Sequence, residues 1–170
     1  MRTPLLNLDD TMIERMEADL VSKVQAAYNA AGVDVAVYGV FSLDDLEKKQ
    51  ESELCGAIGI GVGYLGAEPT PNVGTQLNVS RGVAAKPIDF MYVIILAVPT
   101  QGCDERFPAT KLLTVMRRKI MGSTISGDEV NRTWMFVKEG PQISESSDTM
   151  LYYSQVWRVA LSQTGNVSNS

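Results

Sequence analysis

The residues Gly61-Val62-Gly63-Tyr64-Leu65-Gly66 carry the letters G-x-G-x-x-G. This is the spacing by which glycines bring backbone close to a pyrophosphate at the start of a helix. That chemistry needs a helix directly after the glycines, and the next residues, AEPTPNVG, cannot form the first turns of one. The stretch reads instead as a strand. Ile58, Ile60, Val62 and Tyr64 point one way, and Gly59, Gly61 and Gly63 the other. One face of such a strand is bare backbone, suited to close approach by another element of the chain or by a neighbouring subunit. Acidic pairs stand at Asp9-Asp10, Asp44-Asp45, Asp104-Glu105 and Asp128-Glu129. Paired carboxylates do acid–base work when their surroundings push their pKa values apart. These pairs fall where caps, loops and turns place solvated acids. Cys103 lies beside Asp104 and Glu105, and adjacent acids raise a thiol pKa, away from a reactive thiolate. Arg117-Arg118-Lys119 is the strongest basic cluster. At a helix C-terminus it complements the helix dipole, with ion pairing to an acidic partner surface as the alternative role.

The chain of 170 residues contains no histidine. That excludes Ser-His-Asp and Cys-His nucleophile systems, HExxH metalloprotease sites and Cys₂His₂ fingers. The two cysteines, Cys55 and Cys103, cannot build a Cys₄ zinc site and suit a reducing cytoplasm. No metal or cofactor is expected, and no enzymatic activity. Hydrophobic residues make up 45% and charged residues 21%, the balance of a globular protein with a real core. The net charge of −5 argues against an overall nucleic-acid grip, though not against a local basic patch. No apolar stretch reaches the roughly 18 residues of a membrane span. The segment MRTPLLNLDD lacks the long apolar core of a signal peptide.

Periodicity gives the elements that carry these residues. Thr11–Ala31 reads as a helix, with Thr11 and Glu14 as a capping-box pair and Ile13, Met16, Leu20, Val24 and Ala27 on one stripe. Glu14, Glu17, Asp19 and Lys23 then face elsewhere, and Gly32 stops the helix. Val33–Phe41 reads as a strand, LDDLEKKQES as a short helix and Leu54–Leu65 as a strand. Gly66–Lys86, with Pro69, Pro71, Gly74 and Gly82, reads as a long loop, expected to be mobile in the free subunit and ordered on assembly. Ile88–Val98 is the most apolar segment and alternates little, as a central strand buried on both faces does. Ala109–Met121 reads as a second long helix, with Leu112, Leu113, Met116 and Ile120 as its stripe and Gly122 as its stop. Arg132–Lys138 and Met150–Leu161 read as a strand pair carrying Trp134 and Trp157. On the last strand Leu151, Tyr153, Trp157, Val159 and Leu161 share a face interrupted by Gln155. The expected fold is α+β: residues 1–162 as one domain, a single mainly antiparallel sheet flanked by two main helices. Residues 163–170 are expected to be a disordered tail.

This arrangement resembles a bacteriophage tail terminator over about Leu8 to Ser162. The closest piece is Leu112-Leu113-Thr114-Val115-Met116-Arg117-Arg118-Lys119-Ile120-Met121-Gly122, followed by a turn and two strands ending in Tyr152-Tyr153-Ser154-Gln155-Val156-Trp157-Arg158-Val159. In such proteins a helix of the type L-x-x-x-R-x-x-I/L-x-G often precedes the final strand pair. The resemblance implies a virion structural protein without enzyme activity. It implies a homohexameric ring at the neck end of the tail, assembled in the host cytoplasm. Such a ring stops tail-tube polymerisation and presents a surface to the head-side connector or stopper, while DNA passes through the lumen without specific binding. An acidic lumen fits that role, because it avoids gripping phosphates. Gly59, Gly61, Gly63, Arg81, Arg117, Arg118 and Arg158 are the candidate interface residues. Competing expectations are another head–tail joining or minor tail protein, a small-ligand-binding regulatory domain with a polar-lined pocket, and a carboxylate-based enzyme.

Overall fold

The computed structural model of the chain describes residues 12–39, 43–49, 58–69, 76–78, 83–85, 88–99, 109–127, 132–142 and 150–160. The elements run α1 (Met12–Ala31), β1 (Ala36–Gly39), α2 (Leu43–Lys49), β2 (Gly59–Pro69), β3 (Gln76–Asn78), β4 (Val83–Ala85), β5 (Ile88–Pro99), α3 (Ala109–Ile120), β6 (Met135–Gln142) and β7 (Met150–Ala160). The class is α+β, as the periodicities predict. A five-stranded sheet has the order β1-β2-β5-β7-β6, and every neighbouring pair is antiparallel except β1 and β2.

α1 ends as its glycine demands. Gly32 has φ 71°, and the Val33 and Gly32 amides donate to the Tyr28 and Asn29 carbonyls at 3.0 and 3.2 Å. This Schellman closure consumes residues 32 and 33, so β1 is shorter than the predicted Val33–Phe41. Because β1 and β2 are parallel, their link crosses the sheet. The α2 helix in that link places Leu46 against Ile95, Ala97, Met150 and Tyr152, on the face away from α1.

α1 and α3 cover the other face. Met16, Leu20, Val24 and Tyr28 from α1 meet Leu112, Leu113, Met116 and Ile120 from α3. Beneath them lie Ile60, Val62, Tyr92, Ile94, Leu96, Trp157 and Val159 of the sheet. β5 is the central strand, and Ile94 and Leu96 are completely buried. Burial on both faces explains the lack of alternation in its sequence.

Three expectations need correction. The segment Gly66–Lys86, predicted as a loop, contains strands. β2 continues to Pro69 through a bulge at Leu65, and β3 pairs with β4 as a small antiparallel ribbon. The bulge lets β2 keep pairing with β5 beyond the point where its alternation breaks. Leu151 shares a face with Trp157 but is 48% exposed. The β6 pairing reaches the Gln142–Tyr152 pair, so Leu151 has no β6 partner among the described residues. Asp19, read as facing away from the apolar stripe of α1, is nevertheless buried. The capping residue Thr11, the terminal segment 161–170, and the acidic pairs other than Asp44-Asp45 lie outside the described residues.

Candidate functional site

The helix layer is held to the sheet by buried polar side chains. The Asp19 carboxylate accepts from Lys23 Nζ at 2.6 Å, from the Ser126 amide at 3.0 Å and from Trp134 Nε1 at 2.8 Å. Burial raises the Asp19 pKa, but the hydrogen bonds from Lys23, Trp134 and Ser126 together outweigh it and hold the carboxyl below its ordinary range. A second network centres on Gln155, fully buried on β7. Its amide nitrogen donates to the Leu113 carbonyl at 3.0 Å and to Glu139 Oε2 at 2.7 Å, and its oxygen accepts from Trp157 Nε1 at 3.3 Å. Glu139 also faces Arg117 Nε at 3.5 Å. Periodicity could not reveal either network. Asp19 has the type expected on a solvated stripe, and Gln155 looked like an interruption in an apolar face.

Two buried tyrosines are structural. Tyr28 OH donates to the Leu112 carbonyl at 3.0 Å, and Tyr92 OH to the Ile13 carbonyl at 3.1 Å. Burial drives both phenol pKa values far upward. No group of three His, Cys, Asp or Glu side chains is placed to hold a metal ion among the described residues. Asp44 and Asp45 occupy the first turn of α2, where acids complement the helix dipole.

Surface chemistry concentrates on the two flanks of the sheet. β1 is one edge, with α1 beside it, and β6 is the other, with α3 beside it. Between α1 and β1 runs an open groove of about 650 Å³, lined by Glu14, Glu17, Ala18, Val21, Ser22 and Gln25 of α1 among others, and by Gly39 of β1. The Glu17 carboxylate sits over Gly39, so that a Cβ there would stand 2.6 Å from Oε1. Partial burial, then the neighbouring Glu14 charge, raises the Glu17 pKa.

On the opposite flank Arg117 is tied to Glu139 and also donates to Thr114 Oγ1 at 3.1 Å, whereas Arg118 and Lys119 are exposed. Met121, 54% exposed, lies beside them. β6 carries a bulge between Phe136 and Lys138 and holds Pro141, features that block pairing with another strand.

The sequence candidates are therefore dispersed. Gly59, Gly61 and Gly63 are buried in β2, which is flanked on both sides by strands, on the face shared with Ile95 and Ala97. Arg158 faces the buried Asp89 at 3.5 Å. Arg117 and Arg118 lie on the β6 flank. Arg81, Cys55 and Cys103 fall outside the described residues. Trp134 and Trp157 are completely buried, Trp134 edge-on to Tyr92 and Trp157 edge-on to Phe136.

No known family model matches the sequence. No curated protein matches it either. The fold does have relatives among solved structures, of which 31 chains match. One is a chain of the virion of the native gene transfer agent (GTA) particle, with TM-score 0.50 and 15% identity. The match covers 85% of this chain and 92% of that one. At that identity the likeness is one of fold.

Proposed function

We propose that this chain is a virion structural protein that works through its surfaces, and specifically that it caps a phage tail tube as a six-subunit ring and joins it to the head-side connector. The observation that carries the reading is the near end-to-end likeness of fold to a chain of a gene transfer agent virion. The surface chemistry is consistent with it. Both outer strands of the sheet have a free edge among the described residues, and the two flanks carry opposite charge. Head-to-tail contacts of one kind close into rings when the rotation allows, and a tail tube would template that rotation. In this reading Arg81, Arg117, Arg118 and Arg158 supply charge at the contacts of the assembly, whereas Gly59, Gly61 and Gly63, buried within β2, serve packing inside the subunit.

The test is solution mass against concentration, by sedimentation, alone and with a purified tail-tube protein, followed by electron microscopy. Six-fold rings that bind tube ends and stop tube growth are the expected result. Rings that bind a connector and ignore tube ends would replace the terminator reading with a head–tail joining one. A strict monomer that binds neither would overturn both.

A further inference from the structure

We infer that the groove between α1 and the free edge of β1 receives the basic end of α3 from a second copy of this chain, with Glu14 and Glu17 facing Arg118 and Lys119 of that copy. The inference rests on the reading of the chain as a self-assembling virion protein and names the contact that would build the assembly.

Three observations converge on it. The first is charge. The groove holds two carboxylates that make no ion pair among the described residues, and Glu17 is drawn in over Gly39, which has no side chain to exclude it. Its pKa is raised by burial and by Glu14, so the free subunit holds this carboxylate at a cost that a cation from outside would offset. Arg118 and Lys119 are exposed and make no ion pair among the described residues, while Arg117 beside them is held by Glu139.

The second is shape. Ala18, Ser22 and Ala26 keep the groove shallow and open, and Val21 gives it an apolar patch. Met121, exposed next to Lys119, is an apolar side chain that can cover that patch. On β6 the bulge and Pro141 rule out a continuous sheet between copies. The inserting element is therefore the helix end.

The third is register. Gly39, Val62, Ile94, Gln155 and Glu139 form one row across the sheet. Glu17 stands over the first of these residues, and Arg117 is paired with the last. Glu17 and Arg117, which is followed directly by Arg118 and Lys119, thus mark the two ends of one row whose outer strands are about 19 Å apart at the usual strand spacing of ~4.8 Å. A neighbour docked this way is displaced across the strands without sliding along them. Repetition of that step turns a head-to-tail contact into a closed ring when the rotation fits, instead of a rising filament.

The experiment is a charge exchange read by sedimentation and electron microscopy at low and high salt. Glu14→Lys with Glu17→Lys, and separately Arg118→Glu with Lys119→Glu, should each raise the dissociation constant for self-association about ten-fold or more, as like charges then meet. Each variant should keep the thermal transition of the wild-type monomer. An equimolar mixture of the two double variants should recover the rings, because each groove then meets an end of opposite charge and six positions can alternate. Added salt should weaken wild-type assembly. If the lysine pair prevents folding, Glu17→Gln and Arg118→Gln read the same contact. Variants that assemble like the wild type, or folded variants whose mixture stays unassembled, overturn the inference while the ring reading stands. A wild-type protein that stays monomeric even with tube protein overturns both.

Discussion

The indole N–H of Trp134 donates to Asp19 Oδ2 across 2.8 Å, joining α1 to a position 115 residues later in the chain. The same carboxylate accepts from Lys23 and from the Ser126 amide, so one side chain ties the first helix to the turn between α3 and β6. A buried group of this kind is worth most through the cost of removing it, because its partners are then left without acceptors.

Asp19→Ala should therefore destabilise the folded subunit by about 2–4 kcal/mol, a larger loss than an exposed helix position gives. Urea denaturation followed by tryptophan fluorescence checks it. A change within ~0.5 kcal/mol would show that the network contributes little.

Asp19 also sets an acid limb. Its pKa in the folded state lies below the ordinary 3.8, so its stabilisation is fully present above that value and fades as pH falls through the folded pKa. Wild-type stability should drop more steeply than that of Asp19→Asn below about pH 4. Melting temperatures measured from pH 6 to pH 2 show whether the two curves converge.

Glu17 has the opposite sign. Its pKa is raised above the ordinary 4.5, so the subunit is least burdened by it below that value and loses stability as pH rises through the folded pKa. Glu17→Gln should leave the monomer unchanged or raise its Tm at neutral pH by about 1–2 °C, an effect held small by solvent screening. The difference should vanish on acidification below pH 4.5. A clear loss of monomer stability would show that the carboxylate has a folding role.

Gln155 separates polar satisfaction from volume. Gln155→Ala and the nearly isosteric Gln155→Leu both remove the donor to Leu113 and the acceptor for Trp157. Both should cost about 1–3 kcal/mol. If Gln155→Leu proves as stable as the wild type in chemical denaturation, packing and not hydrogen bonding is the reason for the glutamine.

At the centre of the core, Ile94→Ala should cost about 2–5 kcal/mol, and Ile94→Asp should leave the chain unfolded, since an unpaired charge would sit on a completely buried strand. Circular dichroism melts distinguish the two. A soluble, cooperatively melting Ile94→Asp protein would contradict the position of β5.

β6 runs Met135–Gln142, shifted from the predicted Arg132–Lys138, because this outer strand buries no residue, whereas periodicity in the sequence was enough for α1, α3, β5 and β7. In each, one face or both faces are buried, and burial selects residue types at intervals of 3.6 or 2 along the chain. The glycine stops at Gly32 and Gly122 were legible for a related reason: both adopt positive φ, 71° and 73°, which few other residues tolerate. The absence of histidine likewise settled which nucleophile chemistries the chain could not perform. What the sequence could not decide is every feature that depends on residues distant in the chain. The parallel pairing of β1 with β2, the placement of α2 on the second face and the bulge at Leu65 are choices among strand partners, and local pattern does not encode partners. Asp19 and Gln155 have ordinary surface letters, and only the approach of Trp134, Ser126, Leu113 and Glu139 makes them buried connectors. The same holds for the two charged flanks. Glu17 and Arg117 are common residue types on their own helices, and only the pairing of five strands sets them at the two ends of a single row.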